Sequence, residues 1–268
     1  MYPHDIIPGI NLYVISICVG LIACFLVFSK LSDKLGLRAK IHNLALFAGI
    51  VGIGAGLGAS VLFQALYNIA SVGKFEINSE TGATFYGGLV GGAIAFLAIY
   101  FLVGRFKIKD RIYLESFFPM VSCIAPAIAI AHGFGRLGCL TAGCCHGKVT
   151  DAWCGIMMYG NMGYDKYVPI QLFEAIFLFS LCALLIFRAA ARKKYNFSIY
   201  VIAYGVWRFV IEYARADYRG STFISFLTPS QLTAVVLVAA GIVLAIIEKR
   251  AGNRSTSAEM SSEDNSDE

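Results

Sequence analysis

Two arginines and a run of cysteines stand where this chain offers few other polar groups. Arg136 lies in His132-Gly133-Phe134-Gly135-Arg136-Leu137-Gly138-Cys139, and Arg208 in Tyr204-Gly205-Val206-Trp207-Arg208-Phe209-Val210-Ile211-Glu212. Each belongs to a long apolar stretch. A charge at membrane depth costs roughly 2.5 to 3.5 kcal/mol on the insertion scale, so such a group faces a polar cavity or a partner and marks a functional site. Glu212 follows Arg208 by four residues and shares its helical face, which makes either a neutralised structural pair or a working one. Arg136 has no acid close by in sequence. Its planar fork suits a phosphate of the kind lipid head groups carry, through two parallel charge-assisted hydrogen bonds, and the plainer account is a snorkelling interface residue. His132, four residues before Arg136, is a candidate for proton transfer because an imidazole titrates near neutrality. Its alternative is a hydrogen-bonded packing role. Glu174, in Pro169-Ile170-Gln171-Leu172-Phe173-Glu174, opens another apolar stretch, where an acid favours a helix N-terminus and capping is the simpler account.

The eight cysteines fall into two sets. Cys18, Cys24, Cys123 and Cys182 are spread through apolar stretches as small packing residues. Cys139, Cys144 and Cys145 crowd into Cys139-Leu140-Thr141-Ala142-Gly143-Cys144-Cys145-His146, and Cys154 follows. With no Cys-x-x-Cys pair the zinc pattern is weak. A disulfide from this group to Cys154 and a thiol lining an active site are the other two readings, and spacing does not choose among them.

The elements that must carry these residues follow from composition. The chain has 268 residues, 58% hydrophobic and only 15% charged, with a mean hydropathy of +0.70. Those values exclude a soluble enzyme, a disordered chain and a small disulfide-stapled secreted domain. A bilayer core needs roughly 20 apolar residues per helix. Seven stretches qualify: Asn11 to Ser29, Leu44 to Ala70, Phe85 to Gly104, Ser116 to Gly135, Ile170 to Phe187, Asn196 to Tyr213 and Ser230 to Ile247. The expected fold is therefore all-α, a polytopic membrane protein with seven transmembrane helices. Lys30, Lys34, Arg38 and Lys40, then Arg105, Lys107, Lys109 and Arg111, then Arg188, Arg192, Lys193 and Lys194, and finally Lys249, Arg250 and Arg254 all fall on one side of that arrangement. That side is the cytoplasm, which puts the N-terminus out and the C-terminus in. The first apolar run has no basic n-region before it, so no cleavable signal is expected. Residues 1–250 read as one transmembrane domain. Residues 251–268, Ser-rich and acidic through Glu259, Glu263, Asp264, Asp267 and Glu268, read as a disordered cytoplasmic tail. Gly52, Gly54, Gly56 and Gly58, with Gly87, Gly88, Gly91 and Gly92, stand in small-xxx-small registers that favour close helix packing over ligand contact. No pair of discontinuous helices in matching halves suggests a transporter.

The order of motifs resembles one family. Phe85-Tyr86-Gly87-Gly88-Leu89, Gly135-Arg136-Leu137-Gly138, Pro169-Ile170-Gln171-Leu172-Phe173-Glu174 and Tyr204 through Arg215 are together similar to bacterial prolipoprotein diacylglyceryl transferase, over roughly Leu12 to Ile247. The resemblance implies a multi-pass enzyme of the bacterial cytoplasmic membrane. Such enzymes move the diacylglyceryl group of phosphatidylglycerol to the lipobox cysteine thiol at a prolipoprotein signal peptide and release glycerol 1-phosphate. It implies catalytic roles for Arg136, Arg208 and Glu212, with His132 or Tyr86 as base, and substrate contacts from Arg136, Gly87, Gly88, Gly138 and Cys139. No cofactor, metal or nucleic acid is expected, and the partners are the lipid donor, the prolipoprotein and the bilayer. Tyr86 stands where the family has a histidine, and Cys139 where it has an asparagine. The competing expectation is a membrane metal-binding or thiol-redox protein that uses the outer Cys/His segment on the same scaffold.

Overall fold

The computed structural model describes residues 10–72, 77, 81–82, 84–108, 111–160, 163–215 and 227–264. It is mostly helical: α1 Leu12–Leu35, α2 Ala39–Val72, α3 Phe85–Lys107, α4 Ile112–Glu115, α5 Phe117–Ala142, α6 Ile170–Ala190, α7 Asn196–Ile211 and α8 Pro229–Asp264. A hairpin of β1 Ile156–Gly160 and β2 Gly163–Tyr167 stands between α5 and α6, and a 3-10 turn, Glu212–Ala214, ends α7. Among the described residues, six helices are long and apolar enough to cross a membrane: α1, α2, α3, α5, α6 and α8. α7 has 16 residues and runs directly into the 3-10 turn Glu212–Ala214, which takes up the rest of the stretch expected to reach Tyr213. The chain is thus an all-α membrane protein with one small hairpin that periodicity did not suggest. The hairpin is antiparallel and pairs Ile156 with Tyr167 and Met158 with Asp165.

These helices are apolar on the wrong side for water. On α1, Ile15, Val19, Ile22 and Leu26 recur at three to four residues and are exposed, whereas Gly20, Phe28 and Leu31 are buried. Lipid tails are as apolar as leucine, so helices associate through close packing of small residues instead.

Two compact units divide the chain: Gly36–Met120, and Met1–Leu35 with Val121–Glu268. In the first, α2 and α3 lie backbone to backbone. A Cβ on Gly56 would come 2.9 Å from the Gly88 carbonyl oxygen, and one on Gly92 3.0 Å from that of Gly52. Gly87 is equally closed, with Phe63 and Ala59 occupying the space a side chain would need. At the end of α3, Gly104 admits the ring of Tyr113, and the Tyr100 hydroxyl donates to the Tyr113 carbonyl at 2.8 Å.

In the second unit the core lies among α5, α6 and α7, around Ala125, Ala129, Leu178, Leu181, Cys182, Leu185 and Tyr200. Each helix carries one stripe at helical spacing whose chemistry changes along its length. On α5, Ala125 and Ala129 give way to His132 and Arg136; on α6, Leu185, Leu181 and Leu178 give way to Glu174; on α7, Tyr200 gives way to Tyr204 and Arg208. Residues three and four apart share a face, so the stripes that pack the apolar end deliver the polar groups to one level. Pro126 sits inside α5, and the buried Cys182 thiol donates to its carbonyl at 3.3 Å.

Candidate functional site

At that level three helices bring one carboxylate, one guanidinium and one phenol together. Arg136 Nε lies 3.0 Å from Glu174 Oε2, with the arginine side chain 16% exposed and the glutamate 1%. The Tyr204 hydroxyl donates to Glu174 Oε1 at 2.9 Å and accepts from Arg136 Nη2 at 3.3 Å. Arg136 therefore has an acid partner after all, supplied by α6 across 38 positions of sequence. Glu174 does not cap its helix. It is the fifth residue of α6 and fully buried, one turn in, where only a cation and a donor hydroxyl make its charge tolerable.

His132 lies one turn deeper on α5. Its Nδ1 is 3.2 Å from the Tyr200 hydroxyl, and its ring meets that of Tyr204 edge-on at 4.6 Å. Nε2 is buried and has no hydrogen-bond partner among the described residues. His132 and Tyr204 both interact electrostatically with Arg136 and with Arg208.

Arg208 is buried. Nη1 lies 2.7 Å from Glu212 Oε2, and Nη2 donates to the Ser230 hydroxyl of α8 at 2.8 Å. Glu212 also accepts from the Thr228 hydroxyl at 3.1 Å and lies 3.8 Å from Arg215 Nε. The expected pair of Arg208 with Glu212 is present, with Arg215 as a second cation on the same carboxylate. Close approach of α7 to α8 allows this. A Cβ on Gly205 would meet the Ala234 carbonyl at 3.0 Å.

α5 runs past the expected end at Gly135 and continues to Ala142, so Arg136, Gly138 and Cys139 are helical. Gly138 is buried against α1, where a Cβ would lie 3.0 Å from the Tyr13 ring. Beyond α5 the segment is tied down by Gly147 N–H to the Val168 carbonyl at 2.9 Å and Lys148 N–H to the Ala214 carbonyl at 3.0 Å. His146 is buried against the Tyr167 ring at 4.3 Å and is not one of the clustered ligand groups. The Sγ atoms of Cys139, Cys144 and Cys145 all lie within 4.8 Å of one another, and Cys154 is not part of this group. Among the described residues no cysteine is in a disulfide. Hydrogen bonds from the Cys139 and Cys144 thiols, then the Arg215 guanidinium, hold the Cys145 thiol well below the usual thiol range. Cys144 is shifted the opposite way: hydrogen bonding to Cys139 pulls it down, but hydrogen bonding to Cys145 and burial together raise it further.

Tyr86 is in the first turn of α3, but its side chain lies outside the described residues. Gly87 and Gly88 face α2, in the other compact unit. Sequence reasoning missed Glu174 and Tyr204 as members of the site. Each was visible only as part of a motif, because the pairing that gives them a role is made across helices.

A polytopic α-helical membrane protein with paired charges buried at one level of its helices is the class this architecture defines. The chain matches the family described as prolipoprotein diacylglyceryl transferase over residues 5–247. It belongs to that family. It is 33% identical over 242 residues to the phosphatidylglycerol–prolipoprotein diacylglyceryl transferase of Clostridium tetani, covering 87% of this chain and 91% of the relative. A second such enzyme from Clostridium perfringens is 29% identical over 264 residues, 92% and 95% of the two chains, and one from Rickettsia rickettsii 29% over 247 residues, 88% and 91%.

Proposed function

We propose that this protein is a phosphatidylglycerol–prolipoprotein diacylglyceryl transferase of the bacterial cytoplasmic membrane, with seven membrane-crossing helices, its N-terminus outside, and residues 251–268 as a cytoplasmic tail. The observation that carries the proposal is the buried network of Arg136, Glu174 and Tyr204 beside Arg208, Glu212 and Arg215. It supplies guanidinium forks on α5 and α7, and a fork suits a phosphodiester through two parallel charge-assisted hydrogen bonds.

In the reaction the sulfur of the lipobox cysteine attacks the sn-3 carbon of the lipid. The carbon–oxygen bond breaks, its electron pair leaves with the phosphate, and glycerol 1-phosphate departs. Arg136 and Arg208 hold the phosphate and stabilise the charge that grows on it, the electrostatic contribution that is commonly largest. Glu174 and Glu212 keep those forks charged and aimed. Gly138 lets α5 pass close to α1, and Cys139 faces the donor one turn beyond Arg136. Tyr86, Gly87 and Gly88 enter on the family motif, at the start of α3.

The thiol must also lose its proton, since the thiolate is the nucleophile. His132 and Tyr86 are the two candidate acceptors. His132 has a buried nitrogen with no hydrogen-bond partner among the described residues, and Tyr86 starts near pKa 10.

The test is transfer of labelled diacylglyceryl from phosphatidylglycerol to a lipobox peptide by the purified protein. Activity in the wild type with loss in Arg136→Ala is the expected result. No transfer under conditions in which the Clostridium tetani relative works would overturn the proposal.

A further inference from the structure

Where α5 ends, the chain turns sharply and the turn gathers three thiols. Gly143 has φ +72° and Cys145 φ +61°, both left-handed, and Cys144 N–H donates to the Cys139 carbonyl at 3.2 Å. A left-handed conformation is uncommon for a residue with a side chain. Here it brings the Cys145 sulfur round toward Cys139 and Cys144, within 4.8 Å of each. The Gln171 side-chain amide donates to the Cys144 carbonyl, and the Gly147 and Lys148 pairings fix the chain that follows. The geometry is thus set by the fold around the thiols. Cys139 and Cys145 are half-buried, while Cys144 is exposed, so the cluster has one open side.

Arg136 stands one turn before Cys139 on α5, and Arg215 hydrogen-bonds Cys145, so both ends of the cluster border a cationic side chain. A disulfide would use two of the sulfurs and leave the third without a role.

We propose that Cys139, Cys144 and Cys145 form a three-thiolate zinc site whose fourth position is open, and that the acceptor thiol of the transfer binds there. Zn–S bonds near 2.3 Å put tetrahedral sulfurs about 3.8 Å apart, so closing from 4.8 Å takes small side-chain rotations. Soft thiolate sets select zinc among the common divalent ions, and three protein ligands with one vacant position is the pattern of catalytic zinc. A thiol that coordinates the metal is deprotonated outright. Its proton passes to water through the exposed Cys144 side, and the metal-bound sulfur then attacks the sn-3 carbon while the phosphate leaves with the electron pair. The site answers a difficulty in the sequence itself. Tyr86 is a poor base, and His132 lies seven residues from Cys139, about 10 Å along the helix axis and on the far side of Arg136. This assignment rests on the transferase reading.

The test uses the full-length protein in detergent, reduced, with its thiols titrated beforehand, and cobalt(II) as the spectroscopic probe. One equivalent should bind with sulfur-to-cobalt charge-transfer absorption and tetrahedral visible bands, and zinc(II) should displace it. Cys144→Ser and Cys145→Ser should each weaken binding at least tenfold, and Cys154→Ser should leave it unchanged. A lipobox peptide should shift the visible bands, and the same peptide with serine for cysteine should not. Absence of cobalt binding, or binding indifferent to Cys144→Ser and Cys145→Ser, overturns the site. Bands unmoved by the thiol peptide overturn the acceptor assignment. Failure of the transferase reading is distinguishable, because it would leave peptide-sensitive cobalt binding with no diacylglyceryl transfer.

Discussion

The ion pair of Arg136 with Glu174 should reveal itself in a double-mutant cycle. Its charges are 3.0 Å apart, which at an effective dielectric of about 20 corresponds to an attraction of about 5.5 kcal/mol. Burying both ions offsets much of that. Removing one partner alone is the costly change, about 3 to 5 kcal/mol, because the other charge is then left uncompensated. The two singles should not be equal. Glu174 is 1% exposed and Arg136 16%, so an orphaned glutamate has no route to water, whereas an orphaned arginine can extend outward. Arg136→Gln should therefore destabilise near the top of that range and Glu174→Gln near the bottom. Combining them removes both charges and leaves two neutral amides, so the double variant should cost about 2 to 3 kcal/mol less than the two singles together. Unfolding of the detergent-solubilised protein by a rising fraction of denaturing detergent measures all three. Additivity within about 0.5 kcal/mol, or equal costs for the two singles, would refute the pairing.

The remaining expectations concern single contacts. Arg136→Lys keeps the charge but loses the fork, and labelled-lipid transfer should fall about 100-fold or more, since a point charge does not reproduce bidentate phosphate geometry. Tyr204→Phe deletes a hydroxyl bonded to both Arg136 and Glu174, and hydrogen bonds to charged groups contribute about 1.5 to 3 kcal/mol, so transfer should drop about 10- to 100-fold with helical circular dichroism unchanged. Gly56→Ala forces a Cβ to 2.9 Å from a backbone oxygen and should destabilise by about 1 to 3 kcal/mol, whereas Gly54→Ala, with nothing within 4 Å, should be neutral or stabilising in the same unfolding assay. In chelator-treated protein, the depressed Cys145 thiol should stay ionised as pH falls below the ordinary thiol pKa near 8.5, so its iodoacetamide labelling should persist at about pH 6. Cys144, shifted the other way, should lose its labelling over that interval, and Arg215→Ala should move Cys145 toward it, as peptide mapping of the label would read.

What the sequence made legible divides along a physical line. Interactions within one helix could be read: Arg208 with Glu212 follows from a spacing of four, and the α2–α3 glycines from their register. The helices themselves were legible because crossing a bilayer imposes a length and a composition. Pairings between helices were not. Arg136 looked unpaired because its acid is on α6, and Glu174 looked like a cap because an acid near a helix start usually is one. Nothing in a single line of sequence reports that the stripes of α5, α6 and α7 reach the same level. The end of α5 was misplaced by Gly135 and Gly138, which suggested a break. In a close-packed bundle a glycine costs less than its propensity implies, because it admits a neighbour, as Gly138 admits Tyr13. The hairpin escaped for a simpler reason: an isolated pair of strands five residues long carries too little alternation to separate from a loop.

The charges of the site fit the proposed reaction more closely than any one residue does. Arg136 and Arg208 are each set against one carboxylate, Glu174 and Glu212, and Arg215 is shared between Glu212 and the Cys145 thiol, so the empty site strands no bare cation. That is why each arginine needs its carboxylate: unpaired guanidiniums would be costly to hold at membrane depth between turnovers. As the sn-3 carbon–oxygen bond breaks, the phosphate gains a second negative charge, and the forks already in place attract it more strongly than they attract the substrate. Interactions that strengthen toward the transition state raise turnover, whereas those equal in both states only tighten binding. The loss in Arg136→Lys should therefore fall on kcat more than on KM.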